Sequence, residues 1–141
     1  MNIIHYKTEC SNIDWSQMRD TLIKDNFDNH RTVEQYRISF ENSYAVVIAY
    51  DGDIIIGTAR AISAGVCNAY IVDVWTQSTY RKQGIDRKMM DLIFEQLEGQ
   101  HVYLWTDSAQ GFYEAIGMEK DDSTGYSKVV GNWLQNPTRD N

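Results

Sequence analysis

Residues 74–90 read VWTQSTYRKQGIDRKMM, and the parsing of this stretch decides the fold. An apolar strand runs out at Thr76, a short polar connection follows, and Arg81-Lys-Gln-Gly84-Ile85 leads into a helix with apolar residues at Ile85, Met89, Leu92 and Ile93. The start of a helix carries partial positive charge and favours Asp or Glu in its first turn. Arg81, Lys82, Arg87 and Lys88 therefore oppose the helix they introduce. An anion from outside the chain relieves that conflict: backbone N–H groups at a helix start, a glycine permitting close approach and nearby cations together make a phosphate site. A solvated basic patch without a ligand is the plainer alternative.

Upstream, Ile3 to Tyr6 reads as a short opening strand. Ser11 or Asn12 can cap a helix whose apolar positions Trp15, Met18 and Leu22 share one side, ending near Asp25-Asn26. Thr32 and Gln35 have the spacing of a capping box, which predicts a second helix from Val33 to about Asn42 with Tyr36 and Phe40 on one side. Two apolar runs, 45–50 and 54–61, flank Asp51-Gly52-Asp53 and read as a hairpin, because that turn needs positive φ. A further strand covers Ala69 to Thr76.

Downstream, the helix runs to about Glu98, where Gly99 closes it. His101 to Thr106 alternates as a strand, and Asp107 or Ser108 caps a short helix that Gly117 stops. Residues 118–122 and 126–130 suit a last hairpin, and the tail from Asn132, with Pro137, is polar. Hairpins combined with one strand-helix-strand crossover give an α+β (mixed α/β) class: a mixed, mostly antiparallel sheet with helices on both faces. The anion loop leaves the carboxyl end of a strand, where open sheets place ligands.

Composition narrows the function. The 141 residues, 43% of them hydrophobic, suit a single domain with an ordinary core. A formal net charge of -7 argues against a nucleic-acid surface, which needs a basic face, and favours a cationic small molecule. No apolar run approaches the ~18 residues of a membrane span, and the first ten residues lack a signal-peptide pattern. A soluble, cytoplasmic protein is expected, with no membrane partner. Cys10 and Cys67 lie in no Cys-x-x-Cys pair and His5, His30 and His101 are scattered, so no metal site is expected.

Two segments carry a family resemblance. Arg81-Lys-Gln-Gly84-Ile-Asp86 resembles the (Gln/Arg)-x-x-Gly-x-(Gly/Ala) loop of the GNAT superfamily of N-acetyltransferases, and Val74-x-Thr76 leads into it at that family's spacing. Gly111-Phe112-Tyr113-Glu-Ala-Ile-Gly117-Met118 is similar to its Phe-Tyr-x-x-x-Gly-(Phe/Met) segment. The resemblance covers about residues 45–120. It implies acetyl-CoA as co-substrate, with no metal. Amides of Lys82, Gln83, Gly84, Ile85, Asp86 and Arg87 would hold the pyrophosphate, with Arg81, Lys82 and Arg87 as cations. The backbone of Val74, Trp75 and Thr76 would pair with pantetheine as a neighbouring strand does. Ser108 and Phe112 would line a gap between the 69–76 and 101–106 strands.

The resemblance also implies direct transfer of an acetyl group to a primary amine of a small molecule. Tyr113 matches the family tyrosine near the sulfur, where its hydroxyl donates to the leaving thiolate. Asp73 is the best base: a carboxylate inside an apolar strand is costly unless paired or functional, and a salt-bridged aspartate is the bland alternative. Asp107 is weaker, since capping explains it. One position departs from the pattern, with Asp86 standing where the family has Gly or Ala. It either turns to the helix start, pairs with Arg87 or Lys82, or weakens the cofactor's hold.

The acceptor is less legible. Trp15, Tyr36, Trp75, Tyr103 and Trp105 can line an aromatic pocket for a cationic or aromatic amine, or serve as core. A transferase acting on a protein or peptide amine, and a CoA-binding or interaction module with weakened catalysis, are the alternatives. A homodimer is left open.

Overall fold

The structure, a computed structural model, describes residues 3–134. Its backbone contacts divide the chain into two compact units, Met1–Leu104 and Trp105–Asn141. The first unit holds β1 (Ile4–Lys7), α1 (Trp15–Lys24), α2 (Val33–Glu41), β2 (Ala45–Asp51), β3 (Ile54–Ser63), β4 (Asn68–Thr76), a 3-10 turn (Ser78–Tyr80), α3 (Ile85–Gln96) and β5 (His101–Tyr103). Its five strands lie in sequence order, antiparallel except for the parallel β4–β5 pair that brackets α3. This is the mixed, mostly antiparallel sheet expected from the sequence.

The sheet buries both faces. Val46 and Ile48 of β2 join Met18, Leu22, Tyr36 and Phe40 in one core cluster, which puts α1 and α2 on that face. On the opposite face α3 packs against β2, β3 and β4 through Ile85, Met89, Met90 and Ile93. Each such side chain withdrawn from water contributes about 1.5–3 kcal/mol. Gly57 of β3 lies under this helix: a Cβ there would sit 3.0 Å from the Met89 sulfur and 3.2 Å from the Trp75 carbonyl.

Local chemistry sets the helix boundaries. The capping box forms as expected: the Thr32 hydroxyl accepts the Gln35 N–H (3.1 Å), and the Gln35 side chain accepts the Thr32 N–H (2.9 Å). The cap of α1 differs from expectation. Asp14, not Ser11 or Asn12, accepts the Gln17 N–H at 3.0 Å. The start is delayed because Ile13, just before the cap, enters the same core cluster as Met18 at the fourth helical position, a hydrophobic staple. At the 51–53 turn Gly52 supplies the positive φ of 60°.

β4 contains a bulge. Opposite β3, Thr58 faces Trp75 and Arg60 faces Val72, so β4 has one residue more than its partner over this interval. Asp73 lies in the interval with a left-handed φ of 55°, unusual for a non-glycine residue within a strand. The extra residue shifts the alternation by one. Val72 and Trp75, three apart, thereby share a face, and the indole enters the α1–α2 core.

Three expectations on the downstream side are corrected. The strand expected over His101 to Thr106 stops at Tyr103, where its pairing with Tyr70 is the last rung. In the second unit α4 (Gln110–Ala115) begins at Ala109 with no side-chain cap, so neither Asp107 nor Ser108 caps it. The Thr106 hydroxyl instead accepts the Ala109 N–H at 3.0 Å. Gly117, at φ 99°, closes α4 with the paired 3.1 and 3.0 Å bonds of a Schellman motif. The hairpin expected over 118–130 is absent, since those residues form no strand. Residues 119–133 are all exposed, so neither run has a buried face, and two strands alone are marginal in water. The tail expected to be polar lies, from residue 135 with Pro137, outside the described residues. Among the described residues no helix is long and apolar enough to cross a membrane.

Candidate active site

The site begins where β4 ends. Trp75 donates its indole N–H to Asp25 Oδ2 (2.8 Å), and Ser78 donates its N–H to the same oxygen (3.1 Å) and its hydroxyl to Oδ1 (2.5 Å). Asp25 closes α1, so one carboxylate fastens that helix end to the strand exit. Burial works against ionisation here, but the Ser78 and Trp75 bonds and the nearby Arg81 hold the carboxyl below its ordinary 3.8.

The loop from Arg81 to Arg87 then turns through two left-handed residues, Lys82 (φ 63°) and Gly84 (φ 81°). Gly84 caps α3 with no side chain of its own to offer the helix. Among the described residues nothing accepts the N–H groups of Lys82, Gln83, Gly84, Ile85 and Asp86. Arg81, Lys82, Arg87 and Lys88 are all exposed around them. Successive unpaired amides in such a turn form an anion-binding concavity. A Cβ on Gly84 would meet nothing within 4 Å, so the space before the helix start is open. Asp86 alters one detail. Its Oδ1 accepts the Arg87 N–H at 2.8 Å, so the first-turn carboxylate already complements the helix start.

β4 presents an edge to this loop. It pairs with β5 only from Asn68 to Tyr70, and among the described residues no strand flanks Ile71 to Thr76 on that side. Val74, Trp75 and Thr76 therefore lie on a free strand edge that runs straight into the loop. The Thr76 hydroxyl is buried without a hydrogen-bond partner.

Asp73 sits behind that edge. Arg31 grips both of its oxygens, with Nη2 to Oδ1 at 2.8 Å and Nη1 to Oδ2 at 3.0 Å, and Arg60 Nε reaches Oδ2 at 2.6 Å. Its own carbonyl accepts the Thr58 hydroxyl at 2.8 Å. Burial, the largest influence, works to raise its pKa, but the Arg31 hydrogen bonds and charge, with those of Arg60, outweigh it and keep the carboxyl below 3.8. Arg31 comes from the α1–α2 connection and Arg60 from β3, so three segments meet at this carboxylate. A shallow cleft with room for about one water molecule opens beside it, lined among others by Phe27, Arg31, Tyr36, Thr58 and Asp73.

The remaining expected residues belong to the second unit. Ser108 precedes α4 and is exposed, while Phe112 and Tyr113 lie on it, half-buried, with their rings edge-on at 5.0 Å. Thus Asp73, Val74, Trp75, Thr76 and residues 81–87 lie along one continuous strand-loop-helix stretch in the first unit. Arg31, Arg60 and Asp25 escaped the sequence reading. Arg60 left a trace, a lone charge in an apolar strand opposite the one holding Asp73; Arg31 and Asp25 sit in polar connections that give no such sign.

Residues 8–118 match the sequence profile of the acetyltransferase (GNAT) family. The chain belongs to the GNAT family.

GNAT proteins are acetyltransferases that use acetyl-CoA, so the protein is an acyltransferase by family. Solved structures share its fold. A GNAT-family acetyltransferase from Streptococcus pneumoniae is 22% identical with a TM-score of 0.75, over 92% of this chain and 100% of that one. Glucosamine-6-phosphate N-acetyltransferase from Arabidopsis thaliana is 17% identical with a TM-score of 0.68, over 92% and 99%. An aminoglycoside N-acetyltransferase solved in complex with CoA is 11% identical with a TM-score of 0.71, over 92% and 96%. No curated protein sequence matches. Within this GNAT chain Cys10 and Cys67 are free thiols, and no three His, Cys, Asp or Glu side chains among the described residues are grouped to hold a metal.

Proposed function

We propose that the protein transfers the acetyl group of acetyl-CoA to a primary amine of a small molecule by direct attack. The observation that carries this reading is the run of unpartnered N–H groups from Lys82 to Asp86 at the mouth of a free strand edge. Those amides, with Arg81, Lys82 and Arg87, suit the diphosphate; the edge at Val74, Trp75 and Thr76 suits an amide-bearing arm laid alongside it. Ser108 and Phe112 are assigned to the lining of that arm's site.

Acetyl-CoA supplies an activated thioester. As the new N–C bond forms and the C–S bond breaks, the amine loses one proton and the sulfur gains one, and Tyr113 is the residue proposed to donate at sulfur. Asp73, expected from the sequence to act as base, receives a different part. A base works best with a pKa near the operating pH, and a carboxylate held by two guanidinium groups is far from it. Its proposed task is to fix the β4 bulge. The acceptor then arrives neutral or passes its proton to water.

A second reading, a CoA-binding module with weakened catalysis, is favoured by one observation: Asp86 occupies an amide that a phosphate would otherwise use. Calorimetric titration with acetyl-CoA and thiol release across an amine panel separate the two. The expected result is binding with turnover, and Tyr113→Phe lowers turnover about 10²-fold while leaving the acetyl-CoA affinity in place. Binding without thiol release for any amine favours the second reading. Unchanged turnover in the variant removes Tyr113 from the chemistry.

A further inference from the structure

The open edge of β4 and the phosphate loop are joined only by Gln77 and the 3-10 turn Ser78–Tyr80. By itself this joint is weak. The turn has no side-chain cap, and it is closed by the Tyr80 N–H on the Gln77 carbonyl at 2.8 Å and the Arg81 N–H on the Ser78 carbonyl at 3.4 Å. Short turns of this kind have poor hydrogen-bond geometry and open easily. Two carboxylates from elsewhere in the chain hold it. Asp25, at the end of α1, accepts the Ser78 N–H and hydroxyl together with the Trp75 indole N–H, so it reaches from inside the strand to the first residue of the turn. Asp51, at the end of β2, accepts the Tyr80 hydroxyl at the other end of the turn. Arg81 leans back in the same sense, with Nε on the Thr76 carbonyl at 3.3 Å.

Neither carboxylate suits direct contact with the cofactor, because an anion beside a diphosphate repels it. What they supply is geometry. The diphosphate and the amide arm of acetyl-CoA are parts of one molecule, so once either is seated the other is offered at an effective concentration set by the spacing and direction of its own site. That gain survives only where the two sites are held at a fixed distance; a loose joint loses it to the entropy of ordering.

We infer that Asp25, seconded by Asp51, is a positioning residue for acetyl-CoA: it fixes the open β4 edge against the phosphate loop, so that both halves of the cofactor are held at once. It acts through Trp75 and Ser78 and touches neither half. This rests on the acetyl-CoA site read above and adds to it two residues that lie outside the edge and the loop.

The test compares whole CoA with its two halves: ADP, which carries the diphosphate, and pantetheine, which carries the arm. Calorimetry gives the affinity for CoA, and displacement of CoA gives those of the fragments. Asp25→Ala is expected to weaken CoA about tenfold with pantetheine unmoved. ADP binds as before or more tightly, since a negative charge close enough to act on Arg81 has gone. That variant also strips the buried Trp75 N–H of its acceptor, so two changes at Ser78 repeat the test with Asp25 in place. Both remove the hydroxyl. Ser78→Gly frees the joint, and CoA weakens about fivefold while the fragments bind as before. Ser78→Pro stiffens it: Ser78 opens the turn, where proline fits, and Gln77 at φ -55° and ψ 140° already has the extended backbone that proline demands of its predecessor. CoA affinity there returns to within about twofold of the unaltered chain. Equal weakening of CoA and both fragments, or weakening of none, overturns the inference, as does a Ser78→Pro chain that binds CoA no better than Ser78→Gly. If CoA fails to bind the unaltered chain, the acetyl-CoA reading falls and this inference with it; CoA bound with those ratios unmoved overturns this one alone.

Discussion

At Asp73 one residue bears both a backbone and a charge burden. Its left-handed φ of 55° is tolerated because Arg31, Arg60 and the Thr58 hydroxyl hold the side chain and carbonyl together. Asp73→Asn leaves two guanidinium groups facing each other with no counter-charge. A loss of about 3–5 kcal/mol is expected, read as a lower denaturant midpoint at neutral pH. The same carboxylate sets a pH dependence. Its folded pKa lies below the unfolded value, so its contribution is complete well above 3.8 and fades as pH falls through the lower folded value. Asp25, held down likewise, adds to that acid window. Denaturation between pH 6 and pH 2 therefore shows a falling midpoint, with a shallower fall in Asp73→Asn. At Asp86 the expectation is opposite in kind. Asp86→Ala frees the Arg87 N–H and removes an anion from the phosphate loop, so acetyl-CoA should bind about fivefold more tightly by calorimetry, with helix stability lowered by about 0.3–1 kcal/mol. A weaker titration in that variant shows that the carboxylate helps the loop.

Elements were legible where local chemistry sufficed. The capping box at Thr32 and Gln35, the Gly52 turn and the helix start after Gly84 each depend on residues within a few positions, and each forms where expected. The misread boundaries depend on partners far along the chain. α1 starts at Trp15 because Ile13 is drawn into the core, and β5 stops at Tyr103 because β4 no longer runs beside it. The two short runs read as a hairpin over 118–130 carried no information about a buried face, and residues 119–133 have none. Within the site, the glycine and cations of the loop were visible in sequence, whereas the Arg31–Asp73–Arg60 group joins residues up to 42 positions apart. The seat of α3 provides the prediction at this scale. Gly57→Val drives carbon into Met89 and toward the Trp75 carbonyl, and overpacking of that sort costs about 1–3 kcal/mol, measurable as a lower thermal midpoint. An unchanged midpoint shows that Met89 yields without cost.

For the molecule as a whole, order is concentrated in the sheet. β2 and β3 are hydrogen-bonded on both sides and covered by helices, while 119–133 is exposed and without regular structure. Hydrogen exchange should follow: amides in the middle of β2 and β3 persist close to the global unfolding limit, and those of 119–133 exchange orders of magnitude faster. Slow exchange in 119–133 implies pairing that the exposure pattern does not disclose. The extra residue in β4 makes one last demand on the gene. Adding one codon after 73 would barely change composition or hydropathy, yet every strand side chain after it would be turned over. Trp75 would swing from the layer of the first two helices toward the third, and Val74 would take its place. The strand thus carries a strict length requirement, one that scoring by residue similarity alone passes over.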